Sequence, residues 1–293
     1  MTMKYSVSKR LSSITKRIFG RRGAEYYIAG TGAAIIAVVV LAALLAPFIA
    51  PYNPIKTVDK PLTPPNSKYI MGTDSIGRDV YSRILYGSRI ALTIILLSAS
   101  FSLLVGVPLG LVSGYIGGTF DKILVLLMDS IYAFPGLILA IAIAHVLGPG
   151  VVNIALSIAV IYIPTYFRMI RGEVLSVKEN LYVEAARAIG ARDFEILFRY
   201  ILPNVLPSIP VVFSLNAADA ILVEAGLSFL GLGLPAPTPD WGFDLKNGHP
   251  YLPAKCWWPV TFPGLMVVLV TLGFSLLGEG INEILNPQLR EGR

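Results

Sequence analysis

The residues best placed to do chemistry in this chain are three carboxylates, Asp129, Asp219 and Glu224, each inside or beside a long apolar segment. A charge at membrane depth is expensive and ordinarily faces protein or water. Such acids could line a solute path or hold a substrate amine. They could equally be interfacial, protonated or paired with a neighbouring subunit. Asp219 and Glu224 lie five residues apart, about 140° around a helix, so they do not form one carboxylate pair. The two histidines, His145 and His249, stand far apart, and His145 falls near the outer end of an apolar segment, where an interfacial position suits it. The single cysteine, Cys256, excludes an internal disulfide framework and a Cys-rich metal site. Intramembrane proteolysis would need a Ser/His pair, two mutually placed aspartates or an H-E-x-x-H zinc site, and the flanks and spacings here supply none. No G-x-x-x-x-G-K-[ST] stretch occurs, nor any Gly-Lys pair, so the chain is expected neither to bind nor to hydrolyse ATP. The expectation is therefore a non-enzyme with no metal and no bound cofactor.

The elements that must carry these residues are membrane spans. The chain is 55% hydrophobic and 14% charged, against about 25% charged in a soluble domain. Its formal net charge of +6 suits a membrane protein with basic loops. Nucleic-acid binding is not expected, because no basic run carries interleaved aromatics. A bilayer core takes about 20 apolar helical residues. Six segments qualify: Ile28–Ala50, Ile90–Tyr115, Ile123–Leu147, Val151–Phe167, Val205–Leu234 and Val260–Leu277. The fold class is thus an all-α integral membrane protein with both termini on one side. Basic residues favour that side as the cytoplasm, with Lys4, Lys9, Arg10, Lys16, Arg17, Arg21 and Arg22 in the 1–27 tail and Arg168, Arg171, Lys178, Arg187, Arg192 and Arg199 after the fourth span.

The expected organisation runs from the basic tail (1–27) through a first span (28–50) and an outer segment (51–89) to a five-helix core (90–285). A short tail (286–293) follows. In the outer segment Val80, Tyr81, Ile84 and Leu85 recur at helical spacing, which predicts an interfacial helix. Gly106, Gly110 and Gly114 make a small-xxx-small run that would let span two pack closely, either within the chain or against a neighbour. Trp241, Trp257 and Trp258 in the outer loop suit the headgroup region.

One cytoplasmic segment, 173–204, is too long and too well punctuated for a simple connection. Asn180 can cap a helix over 181–189. Ala185, Ala186 and Ala188 keep that helix slim. Glu184 and Arg187 can pair. Gly190 suits a left-handed C′ position. Asp193 suits the cap of a second helix with Phe194, Leu197, Phe198 and Ile201 as its apolar stripe. The reading is a helical hairpin that offers a close-fitting surface to another body.

This segment resembles the cytoplasmic signature of permease subunits of binding-protein-dependent ABC importers. Glu184, Ala185, Ala186, Gly190, Leu202 and Pro203 match that pattern, and Tyr200 stands where isoleucine is usual. "MGTDSIGRDVYSRILYGSRIALTI" (71–94), "DSIYAFPGLILAI" (129–141) and "EAGLSFLGLGLP" (224–235) resemble the dipeptide, oligopeptide and nickel branch. The resemblance spans roughly residues 28–290. It implies that the first short helix is a coupling helix seated in an ATPase subunit. It also implies a second homologous permease, two ATPase subunits or domains that use ATP and Mg, an extracytoplasmic solute-binding protein and a prokaryotic plasma membrane. The outer tryptophans then become candidates for docking that binding protein. Peptide is the substrate the resemblance favours, with nickel, glutathione or oligosaccharide as alternatives in the same class. A proton-coupled carrier would also use intramembrane acids, but it leaves the capped hairpin unexplained.

Overall fold

The computed structural model describes residues 23–285, and most of the basic N-terminal tail and the last eight residues fall outside that range. Within it the fold is all-helical, with only isolated bridges such as Thr57 to Arg78. The long helices are α1 (Ala24–Ile49), α2 (Val80–Ile116), α3 (Gly118–Tyr132), α4 (Gly136–Leu147) and α5 (Val151–Val177). They are followed by the short α6 (Leu181–Ala188), then α7 (Ile209–Leu230), α8 (Trp241–Gly248) and α9 (Trp258–Leu285). Among the described residues five candidate spans are long and apolar enough to cross a membrane, or six if α3 and α4 count as one.

That pair corrects the third expected span. The helix breaks at Ala133–Pro135 and turns by 90° between Gly118–Tyr132 and Gly136–Leu147. Pro135 has no N–H to continue the ladder, and it disfavours α geometry at Phe134 before it. The second span differs too, since α2 starts at Val80 and runs unbroken to Ile116. The expected interfacial helix is therefore its first turns. Val80, Ile84 and Leu85 are buried there, covered by the folded 51–79 segment and the outer loop, so no apolar face remains for a lipid interface. Asp79 caps this helix by accepting from the Ser82 N–H at 2.8 Å.

The small-residue run of α2 packs inside the chain. A Cβ at Gly106 would lie 2.6 Å from Tyr166 Cβ, and one at Gly110 would lie 2.6 Å from the Phe167 carbonyl oxygen. Close backbone approach of α2 to α5 thus requires glycine at both positions. The peripheral α1 lies along α9, with Gly32 against the Gly273–Leu277 backbone.

At the end of the bundle opposite the α6 hairpin, the irregular outer segments are tied by buried charge. Arg83 is 1% exposed and its guanidinium donates to Asp244 (Nη2 to Oδ1, 2.6 Å) and to the Pro54 and Pro237 carbonyls at 3.0 and 3.2 Å. Burial pushes the Asp244 carboxyl up to about 6, against the pull of Arg83. Two of the three tryptophans read as headgroup anchors or docking residues belong to this packing instead. Trp241 is 1% exposed and donates to the Ile84 carbonyl at 3.2 Å, while Trp258 is buried and donates to the Thr73 carbonyl at 2.9 Å. Each indole finds a carbonyl where a helix meets a loop, which removes it from the surface. Only Trp257 of the three stays exposed.

Candidate coupling hairpin

The hairpin is built from α6, a tight turn, and a second helical run. Asn180 occupies the N-cap position of α6, but its side chain makes no capping bond; its carbonyl accepts from the Val183 and Glu184 N–H groups instead. At the other end Gly190 has φ +86°. Its N–H donates to the Arg187 carbonyl at 2.9 Å, and the Ala191 N–H donates to the Ala186 carbonyl at 3.0 Å. These two bonds are the Schellman pattern, and the left-handed residue it needs is the glycine read from sequence.

The second run differs from its expected form. Arg192, not Asp193, holds the cap position, and Asp193 is the first helical residue. Its carboxylate accepts instead from the Tyr115 hydroxyl at the end of α2. From Ile196 to Ile201 the helix widens to π geometry, with the Leu202 N–H donating to the Leu197 carbonyl five residues back. Pro203 follows and lacks an N–H, so a normal α ladder cannot pass through it. Asn204 Nδ2 donates to the Tyr200 carbonyl at 2.6 Å. The π segment rotates the faces and splits the expected stripe. Leu197 and Ile201 are buried together with Ile196, whereas Phe194 and Phe198 stack on each other at 4.3 Å and face outward.

The faces of α6 are equally divided. Val183 and Ala186 are buried in a cluster with Val107 and Leu111 of α2, Ile170 and Val174 of α5, and Ile196, Leu197 and Val205. Glu184, Ala185 and Arg187 are exposed, as are Leu181 and Ile189, each at 82%. The expected Glu184–Arg187 pair does not form among the described residues; Arg187 lies over the Tyr115 ring at 5.6 Å. Leu202 packs at the rim of the buried cluster and Pro203 is exposed.

Sequence reading missed the residues that fasten this hairpin to the helix ends. Lys178 Nζ donates to the Gly114 carbonyl at 2.9 Å. Arg171 on α5 makes a forked pair with Asp121 on α3, its Nη2 2.7 Å from Oδ2, and Ser113 on α2 donates to the same carboxylate at 2.6 Å. An Arg–carboxylate fork fixes orientation as well as charge, so α2, α3 and α5 are bound together where the hairpin joins them. Tyr115, Asp121 and Arg171 carry no spacing signal, because their partners are far away in the chain.

The intramembrane acids do not gather in one site. Asp129 lies 4.0 Å from Arg168, both partly exposed, and that guanidinium sits over the Tyr132 ring at 3.6 Å. Glu224 is 1% exposed and lies 3.3 Å from the Ser228 hydroxyl, which donates to Asp240 at 2.7 Å. It is enclosed between α7 and α8, so the expectation that it lines a path does not hold in this structure. Asp219 faces a cavity by itself.

The sequence that folds into this bundle matches a known family. Residues 106–291 match the binding-protein-dependent transport system inner membrane component, and residues 27–65 match the N-terminal TM domain of oligopeptide transport permease C. The chain belongs to the first of these families. It is a multi-pass inner-membrane permease component, and membership decides against the proton-coupled carrier. It is 37% identical to the glutathione transport system permease protein GsiD of Pectobacterium atrosepticum over 94% of this chain and 91% of that protein. It is 39% identical to the dipeptide transport system permease protein DppC of Haemophilus influenzae over 89% and 90%. It is 38% identical to the probable D,D-dipeptide transport system permease protein DdpC of Escherichia coli over 88% and 87%. As a permease component the chain is not itself catalytic.

Proposed function

We propose that this permease is one of two homologous pore-forming subunits of an ATP-driven importer and passes di- or oligopeptides handed over by an external binding protein. ATP and Mg act in two partner ATPase subunits or domains, and the termini and the hairpin lie in the cytoplasm with those partners. The observation that carries the reading is the division of α6 into a fixed face and a free one. Val183 and Ala186 hold it to α2 and α5, while Leu181, Ala185 and Ile189 are left exposed. An exposed apolar patch on a braced element supports docking against another protein. Movement of an ATPase pair would then be passed through Tyr115–Asp193 and Asp121–Arg171 into three spans at once, biasing the pore between inward-open and outward-open arrangements. Gly190 and the Asp193–Tyr115 bond set the hairpin's shape, and Glu184, Arg187, Leu202 and Pro203 frame it.

Glutathione is the second substrate reading, favoured by the GsiD relative. The test is cross-linking from a cysteine placed at Ala185 in native vesicles, with identification of the captured protein. Capture of an ATPase is expected; capture of no nucleotide-binding protein from a fully inserted variant overturns the coupling role.

A further inference from the structure

The outer end of α7 holds two carboxyls with one hydroxyl between them. Ser228 Oγ lies 2.7 Å from Asp240 Oδ2 and 3.3 Å from Glu224 Oε1, and all three residues are buried. Two donors serve Asp240: the Ser228 hydroxyl gives it its single proton, and the Phe243 N–H donates to Oδ1 at 2.9 Å. Glu224 is left without one, and its Oε2 is buried with no hydrogen-bond partner among the described residues. Ionised, it would be an unpaired charge away from water and beside a second carboxylate, which folded proteins avoid. Among the described residues Asp240 is the only charged group acting on Glu224. Arg83 of α2 is engaged by Asp244 of α8, Lys246 of α8 lies over Gly231, and His145 of α4 is exposed on an outer cavity. Asp219, on α7 itself, faces a different cavity. α5 carries no titratable side chain before Tyr162, and α9 none before Glu279.

We propose that Glu224 and Asp240 share one proton, and that this proton latches segment 231–248 onto the outer end of α7. A proton on a carboxyl turns it into a donor. With the proton on Glu224, hydrogen bonds run from Glu224 to the Ser228 oxygen and from Ser228 to Asp240, while Asp240 still caps α8. Each hydroxyl proton in that chain has an acceptor, and the one remaining negative charge sits at the α8 N-terminus, where the helix dipole favours it. The segment's backbone closes over Ser228 at contact distance and shields the three groups. A Cβ at Gly242 would lie 2.6 Å from Ser228 Cβ, and one at Gly233 would collide with the Ser228 hydroxyl. α8 is in turn tied to α2 through Arg83–Asp244 and Trp241–Ile84. The shared proton therefore joins α7 to α2 by way of the outer segment. Its loss leaves two carboxylates across one hydroxyl, and like charges so placed repel. The latch holds in neutral surroundings and loosens as they turn alkaline.

The experiment compares the full-length permease, purified in detergent with its accompanying subunits, as wild type, Glu224→Gln and Asp240→Asn at pH 7 and pH 9. Unfolding exposes Glu224 to water, where a free glutamate loses its proton above about pH 4.3. Each pH unit then raises wild-type unfolding about tenfold for as long as the folded pair keeps the proton. The wild-type melting temperature should therefore fall further between pH 7 and pH 9 than that of either variant; other titrating groups are common to all three proteins and cancel. Glu224→Gln supplies a permanent donor and should melt as wild type at pH 7. Asp240→Asn removes the like charge and frees the Ser228 proton for Glu224. Hydrogen–deuterium exchange localises the effect: residues 231–248 should exchange faster in wild type than in Glu224→Gln at pH 9, and equally at pH 7. Parallel pH dependence in wild type and Glu224→Gln overturns the shared proton. So does Glu224→Gln melting far below wild type at pH 7, because the carboxyl then acts as an anion. A steeper wild-type loss without faster exchange in 231–248 overturns the latch. Neither measurement uses peptide or ATP, so each outcome leaves the importer reading to its own test.

Discussion

Two neighbouring alanines on α6 give the sharpest test of how the hairpin works, because the structure assigns them opposite duties. Ala186 is 3% exposed and packs among Val183, Ile196 and Ile201, whereas Ala185 faces outward. Arginine at 186 would drive a charge and four side-chain carbons into a closed apolar cluster. Overpacking alone costs about 1–3 kcal/mol, and the unpaired charge adds several more. Arginine at 185 meets solvent in the isolated permease, where surface changes stay within about 0.5 kcal/mol. It would, however, place a long charged side chain between α6 and whatever the free face docks against. Thermal unfolding in detergent should therefore separate the variants, Ala186→Arg melting far lower and Ala185→Arg melting as wild type. Co-purification with ATPase subunits and ATP-dependent uptake should be lost in both. An Ala185→Arg variant that keeps its ATPase and its uptake refutes the division of faces, and equal melting of the two refutes the packing argument.

With no neighbour within 4 Å of an added Cβ, Gly190→Val should lower stability by about 1–2 kcal/mol, the cost of a left-handed L-residue, and Gly190→Asn by less, because its short polar side chain tolerates that conformation; thermal melting of the pair checks this. Gly110→Leu should prevent α2 from closing on α5, because its Cβ would start 2.6 Å from the Phe167 carbonyl oxygen; folded yield after detergent extraction reads it. Arg83→Met should cost about 3–5 kcal/mol by leaving Asp244 buried without its cation, and the added Asp244→Asn should recover part of that. The folded chain holds the Asp244 proton to about pH 6 while the ordinary value is 3.8, so stability from this group falls as pH rises through that window. Arg83→Met should extend the fall to higher pH, seen as a melting temperature higher at pH 5 than at pH 8.

Much of this protein could be read from its sequence because the relevant forces are local. Apolar runs long enough for a bilayer declare spans without any partner. Gly190 declares a turn, since a left-handed C′ residue needs only its own backbone. Tertiary structure decided what depends on distant neighbours. Pro135 could have kinked a span or ended it, and the 90° break with a cavity behind it emerged only from packing. The π segment before Pro203 rotated the hairpin's apolar stripe, so Phe194 and Phe198 face out while Ile196 turns in. Trp241 and Trp258 look like interfacial residues in any sequence window, and carbonyls at Ile84 and Thr73, more than a hundred and fifty positions away, made them core. Tyr115, Asp121 and Arg171 gained their roles in the same way. A side chain's reach is a few ångströms, and only the folded chain determines which groups lie within it.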